Sequence, residues 1–293
     1  MALAWLRLAR ASLAPTIAWD WAAGILLCGI AWQPGFLLLL IIQWFIYHGG
    51  MIANDLCDVA QDRAAGRQRP LTQGQISPRG AWIALILLWG GALALAALAA
   101  PAALKAAAIL IAIAGLYDFG GPITRAAFGP VLLAAARTGS LFFVPLTVLG
   151  VNGALQETRL AAAAAYALYF LFLARLARRE ESGAPGAYGF VLVAFTAIAP
   201  SVLLFQQPTP WLAAAAWLVF AALVVGPALP ESRRRIWPPA QVRASVRRGL
   251  GFAPLVPGLA LLASPTEVAP VWALLALAPL LMVRGLARLI PPE

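Results

Sequence analysis

Residues Gly35 to Asp62 read GFLLLLIIQWFIYHGGMIANDLCDVAQD. An apolar run of about 18 residues or more is long enough for a membrane-spanning helix, and this one passes without a break into an acidic nonamer. Asn54, Asp55, Asp58 and Asp62 fall within that nonamer, in a chain that is 62% hydrophobic and 11% charged. On a helix, positions 55, 58 and 62 are spaced i, i+3, i+7, and Asn54 lies one turn before Asp58. All four oxygen-bearing side chains are therefore expected on one face. Carboxylates at the end of an apolar segment have no packing role. They call for a cation, and hard oxygen donors suit Mg2+, particularly where phosphate oxygens complete its shell. The plain alternative is a solvated loop whose acids balance Arg63, Arg67 and Arg69.

Working outward, apolar segments recur along all 293 residues. Ten are expected, at roughly 10–31, 35–57, 79–99, 101–118, 126–150, 158–178, 187–205, 209–229, 241–263 and 267–288. Pro and Gly mark several of the breaks, among them Gln33-Pro34-Gly35 and Gln206-Gln207-Pro208. The expected class is all-α: a polytopic transmembrane helical bundle in a single domain, 1–293, with nine or ten spans. Cys28 and Cys57 give no disulfide framework and read as free thiols. Arg7 and Arg10 lead into a full-length span, which is not the pattern of a cleavable signal peptide.

The net charge of +10 does not indicate nucleic acid, because the basic residues sit at segment ends. Arg7, Arg10, Arg63, Arg67, Arg69, Arg79, Arg125, Arg175, Arg178, Arg179, Arg233, Arg234, Arg235, Arg243, Arg247, Arg248, Arg284 and Arg288 fall on one side. Lys105 and Arg159 fall on the other. The arginine-rich side is expected to be cytoplasmic, with the N-terminus and the acidic motif on it, in a membrane read as the prokaryotic plasma membrane. Arg233-Arg234-Arg235 reads as a topology signal in contact with anionic membrane lipid.

The pattern NDxxDxxxD at Asn54, Asp55, Asp58 and Asp62 is followed by Arg69-Pro70-Leu71 and by a Gly-x-Ile-Ser turn at Gly74 to Ser77. Together these resemble the UbiA superfamily of intramembrane prenyltransferases. The resemblance implies a helical barrel around a lipid-accessible cavity, with prenyl diphosphate held through Mg2+. It implies transfer of the prenyl group to an aromatic ring or another lipophilic acceptor, and no nucleic-acid partner. It makes Asp55, Asp58, Tyr117 and Asp118 the candidate catalytic residues, with the Tyr117 ring facing the developing allylic cation. Diphosphate would fall to Asn54, Arg63, Arg69 and Arg137.

The family's second motif, in the loop after the sixth span, usually carries aspartates. Here LARLARREES, Leu173 to Ser182, offers Arg175, Arg178 and Arg179 as further diphosphate donors and Glu180 and Glu181 as further metal ligands. This variant, with Tyr117-Asp118 and Arg137, resembles the EboC-like subgroup. The altered motif also admits a second reading, a non-catalytic isoprenoid-binding or transport component. A CDP-alcohol transferase would need a DGxxAR string, which the chain lacks.

Two ionisable residues lie at membrane depth. A lone carboxylate at Asp20 costs on the order of 3 kcal/mol on insertion scales, so it is expected to face inward, paired with Arg137 or on the acceptor side of the site. Asp118 is expected to act as a base or to pair with Arg125. His48, the only histidine, is off the face of Asn54 and reads as a satisfied interior histidine.

Overall fold

The computed structural model describes residues 1–205, 211–264 and 269–290. The Gln206-Gln207-Pro208 break and the starts of the segments expected at 209 and 267 lie outside the described residues. A short helix α1, Ala2–Leu8, precedes α2, Ala14–Cys28. Then come α3, Phe36–Ala64; α4, Pro78–Ala99; α5, Pro101–Phe119; α6, Gly121–Ala154; and α7, Glu157–Ala177. The remaining helices are α8, Gly186–Ile198; α9, Trp211–Val225; α10, Pro239–Phe252; α11, Leu255–Leu262; α12, Ala269–Leu274; and α13, Leu277–Leu289.

Eight helical stretches among the described residues are long and apolar enough to cross a membrane. Their boundaries have local causes. Gly29, at φ 66°, ends α2 in the left-handed conformation that glycine adopts without penalty. Ser77 caps α4 by accepting a hydrogen bond from the Gly80 amide at 3.1 Å, and Pro78 opens that helix. Outward, α4 presents Trp82, Ile83, Ile86 and Leu87, side chains that lipid solvates and water does not.

The two C-terminal segments depart from the expected spans. Segment 241–263 is divided into α10 and α11 around Ala253-Pro254, where proline removes an amide and clashes with the preceding turn. Arg243, Arg247 and Arg248 also make α10 too polar to cross a bilayer. Segment 267–288 is divided into α12 and α13, with Pro279 in the first turn of α13. At the other end, α6 starts at Gly121 rather than near 126, so Arg125 stands on a helix and not in a loop.

The chain divides into two compact units, one of residues 1–128, 139–153 and 281–293, the other of 129–138 and 154–280. In the first, α3 packs along α4 and α5. One apolar cluster joins Phe36, Leu39, Ile42 and Ile46 to Ala92, Ala96, Ala107 and Leu110, alanines letting the helices approach closely. A second lies at the motif end of α3, where Ile52 and Ala53 meet Ala4 and Leu8 of α1, Leu71 and Ile76 of the following loop, and Ala81 and Leu85 of α4. This cluster fixes both the N-terminal segment and the loop after α3 beside the acidic motif.

In the second unit, Tyr169 of α7 is fully buried and donates its hydroxyl hydrogen to the Gly249 carbonyl at 2.6 Å. Two short strands, β1 at Ala184–Pro185 and β2 at Ile236–Trp237, pair antiparallel. Gly183, Gly186 and Gly189 make room for the second strand. A Cβ on Gly186 would overlap the Arg234 carbonyl, and one on Gly189 would meet the buried Trp237 ring at 2.7 Å. The Arg233-Arg234-Arg235 run is thereby tied through the backbone to the loop after α7.

A Cβ on Gly49 would overlap the Trp89 indole, itself held by a 3.2 Å hydrogen bond to the Ile46 carbonyl. Gly49→Ala is expected to destabilise the first unit by about 1–3 kcal/mol, the usual cost of overpacking, as read from thermal unfolding in detergent.

Candidate functional site

Helix α3 is 29 residues long and carries the whole motif, so Asn54, Asp55, Asp58 and Asp62 are helical as expected. They are not a solvated loop: Asp55 is 4% exposed and Asp62 1%. The single shared face resolves into two neighbouring rows. Asp55 and Asp62 turn to the loop after α3, where Arg69 Nη1 stands 2.6 Å from Asp55 and 2.9 Å from Asp62. Arg67 adds a second cation on Asp62 at 3.0 Å. Asn54 and Asp58 turn toward the α5–α6 junction. There the Asn54 amide donates to Asp118 Oδ1 at 3.1 Å, and Arg125 pairs with Asp58 and, at 3.5 Å, with Asp118.

Arg10 joins the two rows. Its Nη2 donates to Asn54 Oδ1 at 3.4 Å and to Asp55 Oδ1 at 3.2 Å. A continuous chain of hydrogen bonds and ion pairs therefore runs Asp58–Arg125–Asp118–Asn54–Arg10–Asp55–Arg69–Asp62–Arg67. The plain alternative had this much right: Arg67 and Arg69 do balance motif acids, although Arg63 is exposed.

Local folding explains how each arginine reaches its place. Arg10 has φ 49° and ψ 47°, the one positive-φ residue other than glycine among the described residues. That left-handed conformation costs about 1 kcal/mol or more. His48 holds the turn, its Nδ1 lying 2.8 Å from the Ala9 carbonyl, so the interior histidine is satisfied as expected and carries its proton on Nδ1. Arg69 is set by a compact turn: its amide donates to Thr72 Oγ1 at 3.0 Å, the Thr72 hydroxyl donates to the Arg67 carbonyl at 2.7 Å, and Gly74 takes φ 68°. The Arg69-Pro70-Leu71 and Gly74–Ser77 elements are thus a device for aiming one guanidinium. Arg125 is oriented by donating from Nε to the Tyr117 carbonyl at 3.0 Å, and its guanidinium lies 5.4 Å from the Tyr117 ring centroid. Of the two roles expected for Asp118, the structure contains the pairing with Arg125.

The other candidates are placed as follows. Asp20 is fully buried in α2. In the second unit, Arg137 donates to the Tyr166 hydroxyl at 2.9 Å and lies 5.0 Å from the Phe170 ring centroid. Arg175, Arg178 and Arg179 are exposed at the end of α7 and in the turn after it, Arg179 lying 5.7 Å from the Tyr188 ring. Glu180 is half-buried and Glu181 exposed, and the Glu180 carbonyl accepts from Arg243 at 3.1 Å.

The donor set suits a hard divalent cation in chemistry: Asn54, Asp55, Asp58, Asp62 and Asp118 supply only oxygen ligands. Among the described residues, however, no three His, Cys, Asp or Glu side chains converge as a ready metal cage. Each motif carboxylate instead has a guanidinium partner. The sequence reading missed Arg10, taken as a topology charge, because its contacts lie 44 and 45 residues away. Arg125 was in view only as a partner of Asp118, because its expected loop position hid the reach to Asp58.

An α-helical membrane protein with a carboxylate–guanidinium site at the end of its third helix is what fold and geometry define. Comparison with known proteins narrows this. No family model matches the chain. It is 33% identical over 132 residues to the digeranylgeranylglyceryl phosphate synthase of Methanoculleus marisnigri, covering 44% of this chain and 46% of that one. The chain thus spans about half the length of the curated relative it matches. A solved structure of digeranylgeranylglyceryl phosphate synthase superposes with TM-score 0.60 over 95% of this chain and 100% of that one, at 16% identity. A UbiA homologue from Archaeoglobus fulgidus, bound to DMAPP and Mg2+, superposes with TM-score 0.51 over 86% of this chain and 98% of that one, at 19% identity. The chain shares the fold of these two solved proteins, one of them a UbiA homologue, in keeping with the resemblance drawn from Asn54–Asp62.

Arg69 is 11% exposed and serves two acids that are more buried still. Arg69→Met is expected to cost about 3 kcal/mol or more, because removing one partner strands buried charge. Adding Asp62→Asn should recover part of that loss, and chemical unfolding of the single and double variants measures it.

Proposed function

We propose that this protein is a Mg2+-dependent integral-membrane prenyltransferase, a single UbiA-like domain over 1–293 that transfers an isoprenyl group from a prenyl diphosphate to a lipophilic acceptor. The observation that carries this reading is the side-chain chain from Asp58 to Asp62, five oxygen-bearing side chains assembled at the end of a membrane-spanning helix. The likeness to a UbiA homologue bound to DMAPP and Mg2+, and to digeranylgeranylglyceryl phosphate synthases, supports it. The acceptor is proposed as an aromatic ring or another lipophilic nucleophile. The excess of arginine at segment ends supports a cytoplasmic N-terminus and site, in a prokaryotic plasma membrane.

In this reading Asn54, Asp55, Asp58 and Asp62 hold the cation, which supplies Lewis-acid neutralisation of the leaving diphosphate. Asp118 holds the Asn54 amide nitrogen, which turns the Asn54 oxygen to the side where Arg10 now donates to it and where a cation would take its place. Arg69 keeps Asp55 and Asp62 at fixed separation. Arg63, Arg137, Arg175, Arg178 and Arg179 are proposed as donors to diphosphate oxygens and Glu180 and Glu181 as accessory ligands. Tyr117 is proposed to face the allylic carbon and Asp20 the acceptor. Groups that meet charge only as the C–O bond breaks act chiefly on rate.

One observation favours a second reading, a non-catalytic isoprenoid-binding or transport component. At the second motif three exposed arginines accompany the glutamate pair, and no aspartate is present. Incubation of the purified protein with radiolabelled prenyl diphosphates and Mg2+ separates the two, since only the transferase releases diphosphate. Asp58→Ala is expected to lower that release by at least about 100-fold while leaving the protein inserted and folded. Undiminished release by the variant would remove Asp58 from the site.

A further inference from the structure

The linked side chains carry four carboxylates, Asp55, Asp58, Asp62 and Asp118, and four guanidinium groups, Arg10, Arg67, Arg69 and Arg125. Their formal charges cancel. A cluster built to take a bare divalent cation would hold surplus negative charge, whereas this linked set of eight groups is neutral before any cation arrives.

The balance is also built in structurally. Arg10 is held at its two oxygens by a left-handed turn that a non-glycine residue adopts only at a cost, and His48 secures the turn by binding the Ala9 carbonyl. Arg125 is aimed by a second bond, to the Tyr117 carbonyl. Asp55, Asp62 and Asp118 are all buried, so a cation entering alone would leave about two units of uncompensated positive charge where water screens it poorly. A cation entering with a polyanion that supplies its own negative oxygens carries no such penalty.

Resting on the prenyl-diphosphate reading, we infer that the site takes the divalent cation and the diphosphate together, as one metal–diphosphate unit, and has little affinity for either alone. The four arginines set this rule. They pair with the carboxylates when no cation is bound, and the carboxylates would exchange guanidinium partners for metal when the metal–diphosphate unit binds. Arg10 and Arg125 are accordingly positioning residues that make cation binding depend on the anion. By linkage, the factor by which diphosphate strengthens Mg2+ binding equals the factor by which Mg2+ strengthens diphosphate binding.

Thermal unfolding of the purified full-length chain in detergent, followed by tryptophan fluorescence, tests this with Mg2+ alone, inorganic diphosphate alone, and both. The two together are expected to raise the midpoint by roughly 5 °C at saturating concentration, while either alone moves it by less than about 1 °C. Arg10→Gln leaves one surplus negative charge and is expected to gain a clear response to Mg2+ alone, with an apparent affinity at least about 10-fold above wild type. Arg10→Lys keeps the charge and should respond as wild type does. Arg125→Gln repeats the test should Arg10→Gln not fold. A wild-type response to Mg2+ alone as large as that to the pair would overturn the inference and leave the prenyl-diphosphate reading standing. So would a glutamine variant with no new response to Mg2+. Absence of any response to the pair would remove that reading and the inference with it.

Discussion

Four carboxylates placed at the ends of two helices in a chain this apolar must each find a positive partner, and the first compact unit is arranged so that each does. Helix α3 supplies Asp55, Asp58 and Asp62, and α5 supplies Asp118. The partners come from three other places: the turn after α1, the loop after α3 and the first turns of α6. Each segment is brought up by its own apolar contacts. Leu8 carries the N-terminal turn in, Leu71 and Ile76 carry the loop in, and the tight α5–α6 junction carries Arg125 in. Removing a buried charge partner costs several kcal/mol, whereas a solvated surface pair is worth about 1 kcal/mol or less. The site is thus a structural element as well as a chemical one.

The same network explains why small features far from any charge matter. Gly74 lets the loop turn, and Thr72 ties it to the Arg67 carbonyl, so that Arg69 reaches back across α3. His48 is bound to no charged group that the structure describes, yet by holding the Ala9 carbonyl it steadies the one strained backbone position among the described residues. Strain of this kind persists only where its surroundings over-determine it, and here it delivers Arg10 to Asn54 and Asp55.

Much of this was legible in the sequence. The apolar runs disclosed the spans because hydropathy and length bear directly on insertion, and the nonamer disclosed the oxygen donors because their spacing matches a helical turn. Other features depend on contacts distant in sequence. Arg10 and Arg125 look like any arginine at the end of a span, and only the folded chain shows that both reach the motif. The pairing of Ala184 with Trp237 was equally hidden, since two-residue strands leave no periodic signal. Its trace was the Gly183, Gly186, Gly189 spacing, intelligible once the Arg234 carbonyl and the Trp237 ring are seen against those glycines. The last two segments look like spans by hydropathy, but Pro254 and the arginines of α10 divide the first of them.

Everything proposed for this protein depends on Asn54, Asp55, Asp58 and Asp62 forming the cation site. Anomalous diffraction from crystals grown with Mn2+ and inorganic diphosphate tests it most directly. A peak is expected about 2.1 Å from oxygens of the Asn54–Asp62 turns. A peak confined to Glu180 and Glu181, or to none of these residues while diphosphate is bound, would contradict it.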